Sequence, residues 1–425
     1  MGRGILMTEK IKPEKPSSFE SSVGNSSIEQ IGLSLYLHIP FCKTKCSYCD
    51  FNTYQGIEDL IPAFVNALCL DIQRWLTSLQ NPKINTIFFG GGTPSLLDSH
   101  SIGKILKTIQ KYSYLSDDIE ITLESNPDDL HLEKCQELFD SGINRLSIGV
   151  QSLKDNLLTT LSRRHNSSTA ISAISNAQNS GFNNISVDLM YGLPGQTIQD
   201  WDETLSQILA TNIQHISMYS LTIEEGTPFY SMYAKGVISL PPDDIVADMY
   251  QIAQSHLINN GFEHYEISNW AKNHNYSRHN LAYWQRKPYI GLGPGAHSNI
   301  GNARFWAIKS PKKYVQESLL HGTGTSNHAQ HAINEKFLSD HNLIDGFEIL
   351  TKEQISSELM FLGLRLLNGI NTREYHKIFG IDLKSIYKSQ LKTLVESQLI
   401  ENSESQIKLS PSKIFVSNGI FEEFL

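Results

Sequence analysis

The stretch YLHIPFCKTKCSYCDF, residues 36–51, decides how the rest of this chain is organised. Its cysteines follow the spacing C-x3-C-x2-C and are Cys42, Cys46 and Cys49. Apolar residues alternate through residues 33–39, so this preceding segment is predicted to be a buried strand. Pro40 ends that strand, because proline has no N–H to donate to a neighbouring strand. The three cysteines are therefore expected on a loop at the carboxyl end of a strand.

Three thiolates at this spacing can bind three irons of a cubane iron–sulfur cluster. A [4Fe-4S] cluster then keeps one iron without a protein ligand, and that iron can bind the amino and carboxylate groups of S-adenosylmethionine. An electron from the cluster can cleave the sulfonium, which is chemistry that the cofactor carries and the protein orients. The spacing is the core motif of the radical S-adenosylmethionine superfamily, which the chain resembles here.

Three other interpretations of the cysteines exist. A zinc knuckle usually has C-x2-C pairs and a fourth Cys or His at ligand spacing. A disulfide among three cysteines would leave an odd thiol. Core cysteines would not follow Pro40 and Phe41 on a loop. The flanking sequence agrees with the cluster as well as the cysteines do, so the cluster is favoured.

The composition is that of an ordinary globular chain. Of its 425 residues 40% are hydrophobic and 19% are charged, and the net charge is −9. This balance argues against nucleic acid as a partner, since such proteins usually show a basic patch. No apolar run approaches the ~18 residues of a membrane-spanning helix. Five cysteines suit a reducing compartment, so we expect a cytoplasmic location.

Residues 1–30 are rich in Ser, Lys, Glu and Pro. They lack the apolar core of a secretory signal, and their acidic residues argue against an organelle transit peptide. We therefore expect a disordered N-terminal extension.

Six predicted strands alternate with helices between residues 33 and 220. Such alternation predicts an α/β fold built from parallel βα units. Six units favour a partial (β/α)6 TIM-like barrel over a closed eightfold barrel. Ligands are expected at the carboxyl ends of the strands.

Candidate binding residues follow these strands directly. The sequence GGGT, residues 90–93, comes after the second strand, and glycine lets backbone approach a ligand closely. Glu124 closes the third strand, and its carboxylate can accept hydrogen bonds from ribose hydroxyls. Gln151, Arg163 and Asp188 lie at or just past later strand ends. Each alone is most often a turn, a cap or a solvated loop residue, but their joint position at one rim favours a binding site.

The chain resembles the coproporphyrinogen-dehydrogenase branch of the superfamily through motifs in order: YLHIPFCKTKCSYCDF, FFGGGTPS, LESNPDDL, RLSIGVQS, VDLMYGLPGQT and YSLTIEEGTPF. The resemblance covers about residues 33–300, with a similar C-terminal region. It implies that the residues in contact with cluster-bound S-adenosylmethionine are Tyr36, Gly91 and Glu124. It further implies that the positions matching a second S-adenosylmethionine site are Gly92, Thr93, Gln151, Arg163 and Asp188.

This branch contains two functions. Oxygen-independent coproporphyrinogen III oxidase decarboxylates two propionates, whereas HemW-type heme chaperones bind heme and deliver it to hemoproteins. The oxidase has a further Cys two residues after its last cluster ligand, but Asp50 and Phe51 follow Cys49 here. The oxidase also carries a longer, structured N-terminal segment over its site, whereas the first strand here is predicted to begin near residue 33, after apparent disorder. We therefore expect a heme chaperone, with the decarboxylating enzyme as the alternative.

The sequence HNLAYW, residues 279–284, matches the HNxxYW motif of HemW-type chaperones. An imidazole is a good axial ligand of heme iron, and the two aromatic side chains can form a wall against a porphyrin. His279 is thus the expected heme-binding residue, although a single His beside core aromatics is more often structural. The alternative iron ligands are His264, His274 and His297.

Residues from about 305 to 425 break the alternation of strands and helices. Helical patterns followed by two short strands, near Ile400 and at 407–409, resemble a winged helix. These helices are not notably basic, so a lid or docking role is favoured over DNA binding. We expect three regions: an extension at 1–30, a radical S-adenosylmethionine partial barrel at 31–300 and a C-terminal domain at 301–425.

The resemblance implies a [4Fe-4S] cluster, S-adenosylmethionine and heme as the bound groups. The expected partners are heme and recipient hemoproteins, without nucleic acid and without a transmembrane segment. Whether the recipients are membrane-associated, whether the protein is a homodimer and whether S-adenosylmethionine is cleaved productively stay open.

Overall fold

The computed structural model describes residue 28 and residues 31–320 and 333–425. The predicted disordered extension, residues 1–30, therefore lies outside the described residues apart from Ile28. The main sheet has 12 strands in the order β12-β11-β10-β9-β1-β2-β3-β4-β5-β6-β8-β7, numbered along the chain.

Six parallel strands joined by helices form the centre of this sheet, as the alternation of the sequence predicts. The strands are β1 (Leu33–Ile39), β2 (Lys83–Gly91), β3 (Tyr114–Ser125), β4 (Arg145–Gln151), β5 (Ile185–Tyr191) and β6 (His215–Ser220). The helices between them are Ile61–Ser78, Ser99–Lys111, Leu132–Asp140, Asp155–Thr160, Ser167–Asn179 and Ile198–Leu209. The predicted α/β partial barrel is confirmed, and the sheet stays open because β12 and β7 stand at its two ends.

Shorter strands extend the sheet on both sides, and the sequence did not predict them. They are β7 (Glu263–Glu266), β8 (Asn269–Ala271), β9 (Tyr289–Leu292), β10 (His297–Ile300), β11 (Ala303–Ala307) and β12 (Ile344–Ile349). Strand β9 lies parallel to β1, whereas β8 and β10 to β12 pair antiparallel with their neighbours. Strands of three to six residues carry little periodicity, so only their pairing with distant segments defines them.

The alternation within β1 explains both faces of the central sheet. Its apolar residues Leu33, Leu35, Leu37 and Ile39 are fully buried. Successive side chains of a strand point to opposite faces, so Tyr36 and His38 share the other face. The pairing register aligns Tyr36 with Phe88 of β2, which aligns with Thr122 of β3 and then with Arg145 of β4. The inner face of the partial barrel is thus largely polar, and it is the face that carries the site.

The chain after β6 adds helices around the sheet and a second core. The helices are Pro228–Ala234, Asp243–Asn259, Arg278–Trp284, Pro311–Leu320, Glu335–Asp340 and Lys352–Gly363. The last part of the chain forms the helices Thr372–Phe379, Leu383–Ile386, Lys388–Glu396 and Ser417–Glu422 and a three-stranded sheet of β13 (Ile370–Asn371), β15 (Gln406–Leu409) and β14 (Ile400–Asn402). Two of these helices meet at Tyr387, which ends Leu383–Ile386 and precedes Lys388–Glu396.

A hydrophobic core of its own unites residues from Met360 to Phe424. Strands β11 and β12 nevertheless belong to the main sheet, so the domain boundary near residue 300 stays a prediction. Within the part of the chain that the structure describes, no helix is both long and apolar enough to cross a membrane.

The central position of β1 predicts a strong dependence on its buried side chains. Leu37→Ala should lower the free energy of unfolding by about 2–5 kcal/mol, since it removes buried methyl groups and leaves a cavity. Leu319, which is 46% exposed, provides the control, and Leu319→Ala should change stability by less than about 0.5 kcal/mol. Urea denaturation followed by circular dichroism measures both, and equal midpoints for the two variants would contradict this packing.

Candidate functional site

The cysteine loop begins where β1 ends, as the sequence predicts. The N–H of Cys42 donates to the carbonyl oxygen of Tyr54 at 2.9 Å, and the N–H of Tyr54 donates to that of Pro40 at 2.8 Å. These two bonds close the loop at its base. Cys42 is buried, and Cys46 and Cys49 are half-buried. All three line one pocket, which we name the cluster pocket.

The Gly-rich loop after β2 packs directly against the cysteine loop. The N–H of Gly92 donates to the carbonyl oxygen of Ile39 at 2.8 Å, and that of Thr93 to the carbonyl oxygen of Phe41 at 2.8 Å. A Cβ at Gly92 would lie 2.6 and 2.7 Å from the same two carbonyl oxygens. Only glycine therefore allows the two loops to approach so closely.

The cluster pocket collects nearly every predicted site residue. It has a volume of about 160 Å³. Besides the three cysteines, the predicted residues that line it are Gly91, Gly92, Thr93, Glu124, Gln151, Arg163 and Asp188. Tyr36 lies next to it, in a second cavity that also contains Gly91 and Glu124. His279 lines neither space.

Two carboxyl groups in the cluster pocket have raised pKa values. Burial raises the pKa of Glu124 to about 8, with a further contribution from the charge of Asp188. The N–H of Gly91 donates to Oε2 of Glu124 at 3.0 Å, which fixes that carboxyl group against the Gly-rich loop. Burial also raises the pKa of Asp188, which accepts a hydrogen bond from Ser147 Oγ at 3.0 Å. Both groups keep oxygen atoms at the wall of the pocket, where hydroxyl or ammonium groups of a ligand can bind.

The donor set of the pocket fits an iron–sulfur cluster. Arg163 holds a cation beside the thiols, since its guanidinium lies 3.5 Å from Cys46 Sγ and donates to the carbonyl oxygen of Gly149 at 2.6 Å. Burial raises the pKa of Cys42 and Cys49, and iron would deprotonate both on binding. In the described ranges, no three His, Cys, Asp or Glu side chains converge as the ligands of a single metal ion would. A cubane needs a wider arrangement, because each thiolate binds a different iron.

A chain of hydrogen bonds connects Tyr36 to the end of the cysteine loop. The oxygen of Tyr36 lies 3.0 Å from Nδ1 of His38, and Nε2 of His38 lies 3.0 Å from the carbonyl oxygen of Asn52. A carbonyl oxygen can only accept, so Nε2 carries the proton and the Tyr36 hydroxyl donates to Nδ1. The amide of Asn52 in turn donates to the carbonyl oxygens of Pro294 and Lys309, both at 2.9 Å. Asn52 thereby joins the cysteine loop to the two segments that flank β10 and β11 in the chain.

The second cavity, which we name the aromatic cavity, has a volume of about 630 Å³. Its apolar wall consists of Phe51, Tyr283, Trp284, Tyr289, Phe361 and Leu362. It shares Phe51, Gly91 and Glu124 with the cluster pocket, so the two spaces adjoin. Its volume falls within the ~300–1,000 Å³ of small-molecule sites. The indole N–H of Trp284 is buried and has no hydrogen-bond partner within the described residues.

His279 lies in the interior beneath the aromatic cavity. It is 1% exposed, and its ring stacks on Phe88 with 5.0 Å between centroids. Nδ1 lies 2.7 Å from the hydroxyl of Thr86, and Nε2 lies 2.8 Å from the hydroxyl of Tyr283. Burial lowers the pKa of His279 to about 3, with Arg145 contributing, so the imidazole is neutral. In this structure His279 positions Tyr283, and its role as heme ligand stays a prediction.

The other three candidate histidines occupy different environments. His264 is stacked on Trp270 with 3.7 Å between ring centroids, and His274 is a surface residue 3.0 Å from the hydroxyl of Tyr276. His297 lines the aromatic cavity and is exposed there.

Several polar residues of the aromatic cavity were not predicted. Arg286 donates from Nε to Glu358 at 2.7 Å, and Arg304 forms an ion pair with the same carboxylate. Glu358 comes from a helix more than fifty residues further along the chain, so no local spacing connects it to the arginines. For Asn52, the one feature of the sequence that could have indicated a role is its position just after the cysteine motif.

Comparisons with known proteins agree with this geometry. The model of the radical SAM superfamily matches residues 36–208, and that of the HemN C-terminal domain matches residues 350–416. A solved coproporphyrinogen III oxidase from Escherichia coli, a radical SAM enzyme, superposes with a TM-score of 0.76 at 21% identity, over 92% of this chain and 89% of the other. Residues 36–208, which include the three-cysteine loop, thus define a protein with a radical SAM domain.

Curated relatives narrow this class. The heme chaperone HemW of Bacillus subtilis is 38% identical over 92% of this chain and 99% of its own length. The mitochondrial radical S-adenosyl methionine domain-containing protein 1 of Danio rerio is 35% identical over 89% of this chain and 85% of its own length. The chain belongs to the HemW family of heme chaperones.

The close approach of the two loops predicts a specific glycine requirement. Gly92→Ala should destabilise the cluster pocket, because its Cβ would meet backbone carbonyls that cannot move independently. We expect less iron and sulfide per chain after anaerobic reconstitution, measured by elemental analysis and by absorbance near 400 nm. Gly103 lies in the helix Ser99–Lys111, and a Cβ added there would meet nothing within 4 Å, so Gly103→Ala should reconstitute like the parent protein. Equal iron contents for both variants would contradict the argument.

Proposed function

We propose that this protein is a heme chaperone that binds heme beside a [4Fe-4S] cluster with S-adenosylmethionine and delivers heme to recipient hemoproteins. The observation that carries the proposal is the aromatic cavity, which adjoins the cluster pocket at Gly91 and Glu124. A planar, apolar macrocycle with anionic substituents matches a space with aromatic walls and arginines at one side. The similarity to HemW over nearly the whole chain supports the same function.

The residues proposed to hold the cofactors have separate tasks. The thiols of Cys42, Cys46 and Cys49 would bind three irons, and the cluster would supply an open iron site and an electron. Gly91, Glu124 and Tyr36 border the aromatic cavity, so they would contact S-adenosylmethionine where the two spaces meet. Arg163 would balance negative charge at the thiolates.

A hemin titration tests the proposal. The anaerobically reconstituted full-length protein should bind about one hemin per chain, with a shifted Soret band. Bound heme should then move to an apo-hemoprotein, measured by the optical spectrum of the acceptor after separation. Serum albumin loaded with hemin serves as the control donor. Failure of the reconstituted protein to bind hemin would refute the heme-chaperone function.

A second candidate function is oxygen-independent coproporphyrinogen III oxidase. It is favoured by one observation, namely that the residues matching a second S-adenosylmethionine site line the same pocket as the cysteines: Gly92, Thr93, Gln151, Arg163 and Asp188. The fold similarity at 21% identity does not distinguish the two functions.

An anaerobic assay with coproporphyrinogen III, S-adenosylmethionine and a low-potential reductant separates the candidates. We expect no protoporphyrinogen IX above the level of a control in which the three cysteines are changed to alanine. Oxidation of the products and chromatography of the resulting porphyrins provide the measurement. If protoporphyrinogen IX forms and its formation depends on the cluster, the protein is the oxidase and the chaperone proposal is wrong.

The proposal also covers the location and the partners of the protein. We infer a cytoplasmic location, recipient hemoproteins as partners and no nucleic-acid partner. The net charge of −9 supports the last point, because a net negative charge repels phosphates.

A further inference from the structure

The aromatic cavity contains a histidine that the family resemblance leaves without a role. His297 is the first residue of β10 and its side chain is exposed in the cavity. Within the described residues, neither nitrogen of its ring has a hydrogen-bond partner. Burial and the nearby cations Lys309 and Arg304 lower its pKa, which favours the neutral imidazole that binds metals. The contrast with His279 is direct, because both nitrogens of that ring are already engaged.

The hairpin of β10 and β11 presents four polar or aromatic side chains on one face. His297 pairs with Trp306, and Asn299 pairs with Arg304. Residues directly opposite in an antiparallel pair share a face, and residues two apart on one strand do so as well. The imidazole, an amide, a guanidinium and an indole therefore stand together, and three of the four line the cavity.

The orientation of His297 is fixed by aromatic packing. Its ring stacks on Trp306 with 5.7 Å between centroids and 29° between planes. Trp306 in turn pairs with Gly346 of β12, where a Cβ would lie 2.4 Å from the indole. The missing side chain at Gly346 thus leaves room for the indole, which supports the imidazole from one side.

The charges beside His297 favour an anionic group on the ligand. Arg286 and Arg304 both pair with the buried carboxylate of Glu358, and Arg304 also lies 3.4 Å from a carboxylate oxygen of Glu348. Burial and the charge of Arg304 lower the pKa of Arg286 to about 10. Lys309 adds a further cation near the imidazole. These three cations stand beside two carboxylates, Glu358 and Glu348, so a carboxylate of the ligand would balance the remaining positive charge.

The segment before His297 is held against the cysteine loop. Asn52 donates to the carbonyl oxygens of Pro294 and Lys309, which flank β10 and β11 in the chain. A Cβ at Gly293 would lie 2.4 Å from the carbonyl oxygen of His38, so these backbones are in close contact. The position of His297 relative to the cluster pocket is therefore set by backbone packing.

We propose that His297, rather than His279, is the axial ligand of the heme iron, and that Arg304 binds one heme propionate in the aromatic cavity. The inference rests on the proposed heme-chaperone function and assigns its binding site. In this arrangement Tyr283 and Trp284 of the HNxxYW motif contact the porphyrin, while His279 positions Tyr283 from below.

Titration of the full-length, cluster-reconstituted protein with hemin tests the ligand. His297→Ala should weaken hemin binding at least ~tenfold and abolish the histidine-ligated optical and electron paramagnetic resonance spectrum. Added imidazole should restore that spectrum, and His297→Met should bind heme with an altered, thioether-type spectrum. His274→Ala, which removes an exposed histidine elsewhere, is the matched control and should behave like the parent protein.

A comparison of two porphyrins tests the propionate contact. Arg304→Gln should weaken binding of hemin several-fold but leave binding of hemin dimethyl ester nearly unchanged, because esterification removes the charge that Arg304 recognises. Equal losses for the two porphyrins would overturn this contact.

The outcomes separate the inference from the function on which it rests. If the parent protein binds no hemin, the chaperone function and the inference fail together. If the parent binds hemin and His297→Ala keeps its affinity and spectrum, His297 is not the ligand and the function stands. Circular dichroism and iron content identify a misfolded alanine variant, and in that case the spectrum of His297→Met decides: an unchanged histidine-ligated spectrum overturns the inference.

Discussion

The site depends on the contact between two loops that follow neighbouring parallel strands. The backbone N–H groups of Gly92 and Thr93 donate to the carbonyl oxygens of Ile39 and Phe41, so the Gly-rich loop continues the pairing of β1 and β2 beyond the strands. This contact requires a residue without a side chain at position 92. It positions the cysteine loop next to the Gly-rich loop, whose Gly91 N–H binds the carboxyl group of Glu124.

The polar inner face of the partial barrel connects the two cavities. Glu124 lines both cavities. The register of the parallel strands aligns the inner-face residues of neighbouring strands with one another. Arg145 lies in this interior, and its charge contributes to lowering the pKa of His279 and opposes the rise in the pKa of Glu124. The electrostatics of the cluster pocket and of the aromatic cavity are therefore coupled through shared buried groups.

Much of the fold and most of the site followed from local patterns. The order of strands and helices between residues 33 and 220 came from alternating periodicity, and the candidate residues came from the ends of those strands. All of the predicted residues except Tyr36 and His279 line the cluster pocket, and Tyr36 borders the adjoining cavity. The short strands β7 to β12 were missed, because antiparallel pairing with distant segments leaves no regular pattern in so few residues.

The amino-acid sequence by itself determined the cysteine loop, the order of parallel βα units and the residues at the carboxyl ends of the strands. Each of these depends on residues close together in the chain. Only the tertiary structure decided which histidine faces a cavity. His279 stands in the more recognisable motif, yet Thr86 and Tyr283 occupy both of its nitrogens. A strand register places His297 opposite Trp306, and a distant glycine, Gly346, makes room for that indole; no spacing in the sequence connects these residues. Burial and pairing across the sheet are long-range properties, and they separate an imidazole with both nitrogens engaged from one that is exposed in a cavity.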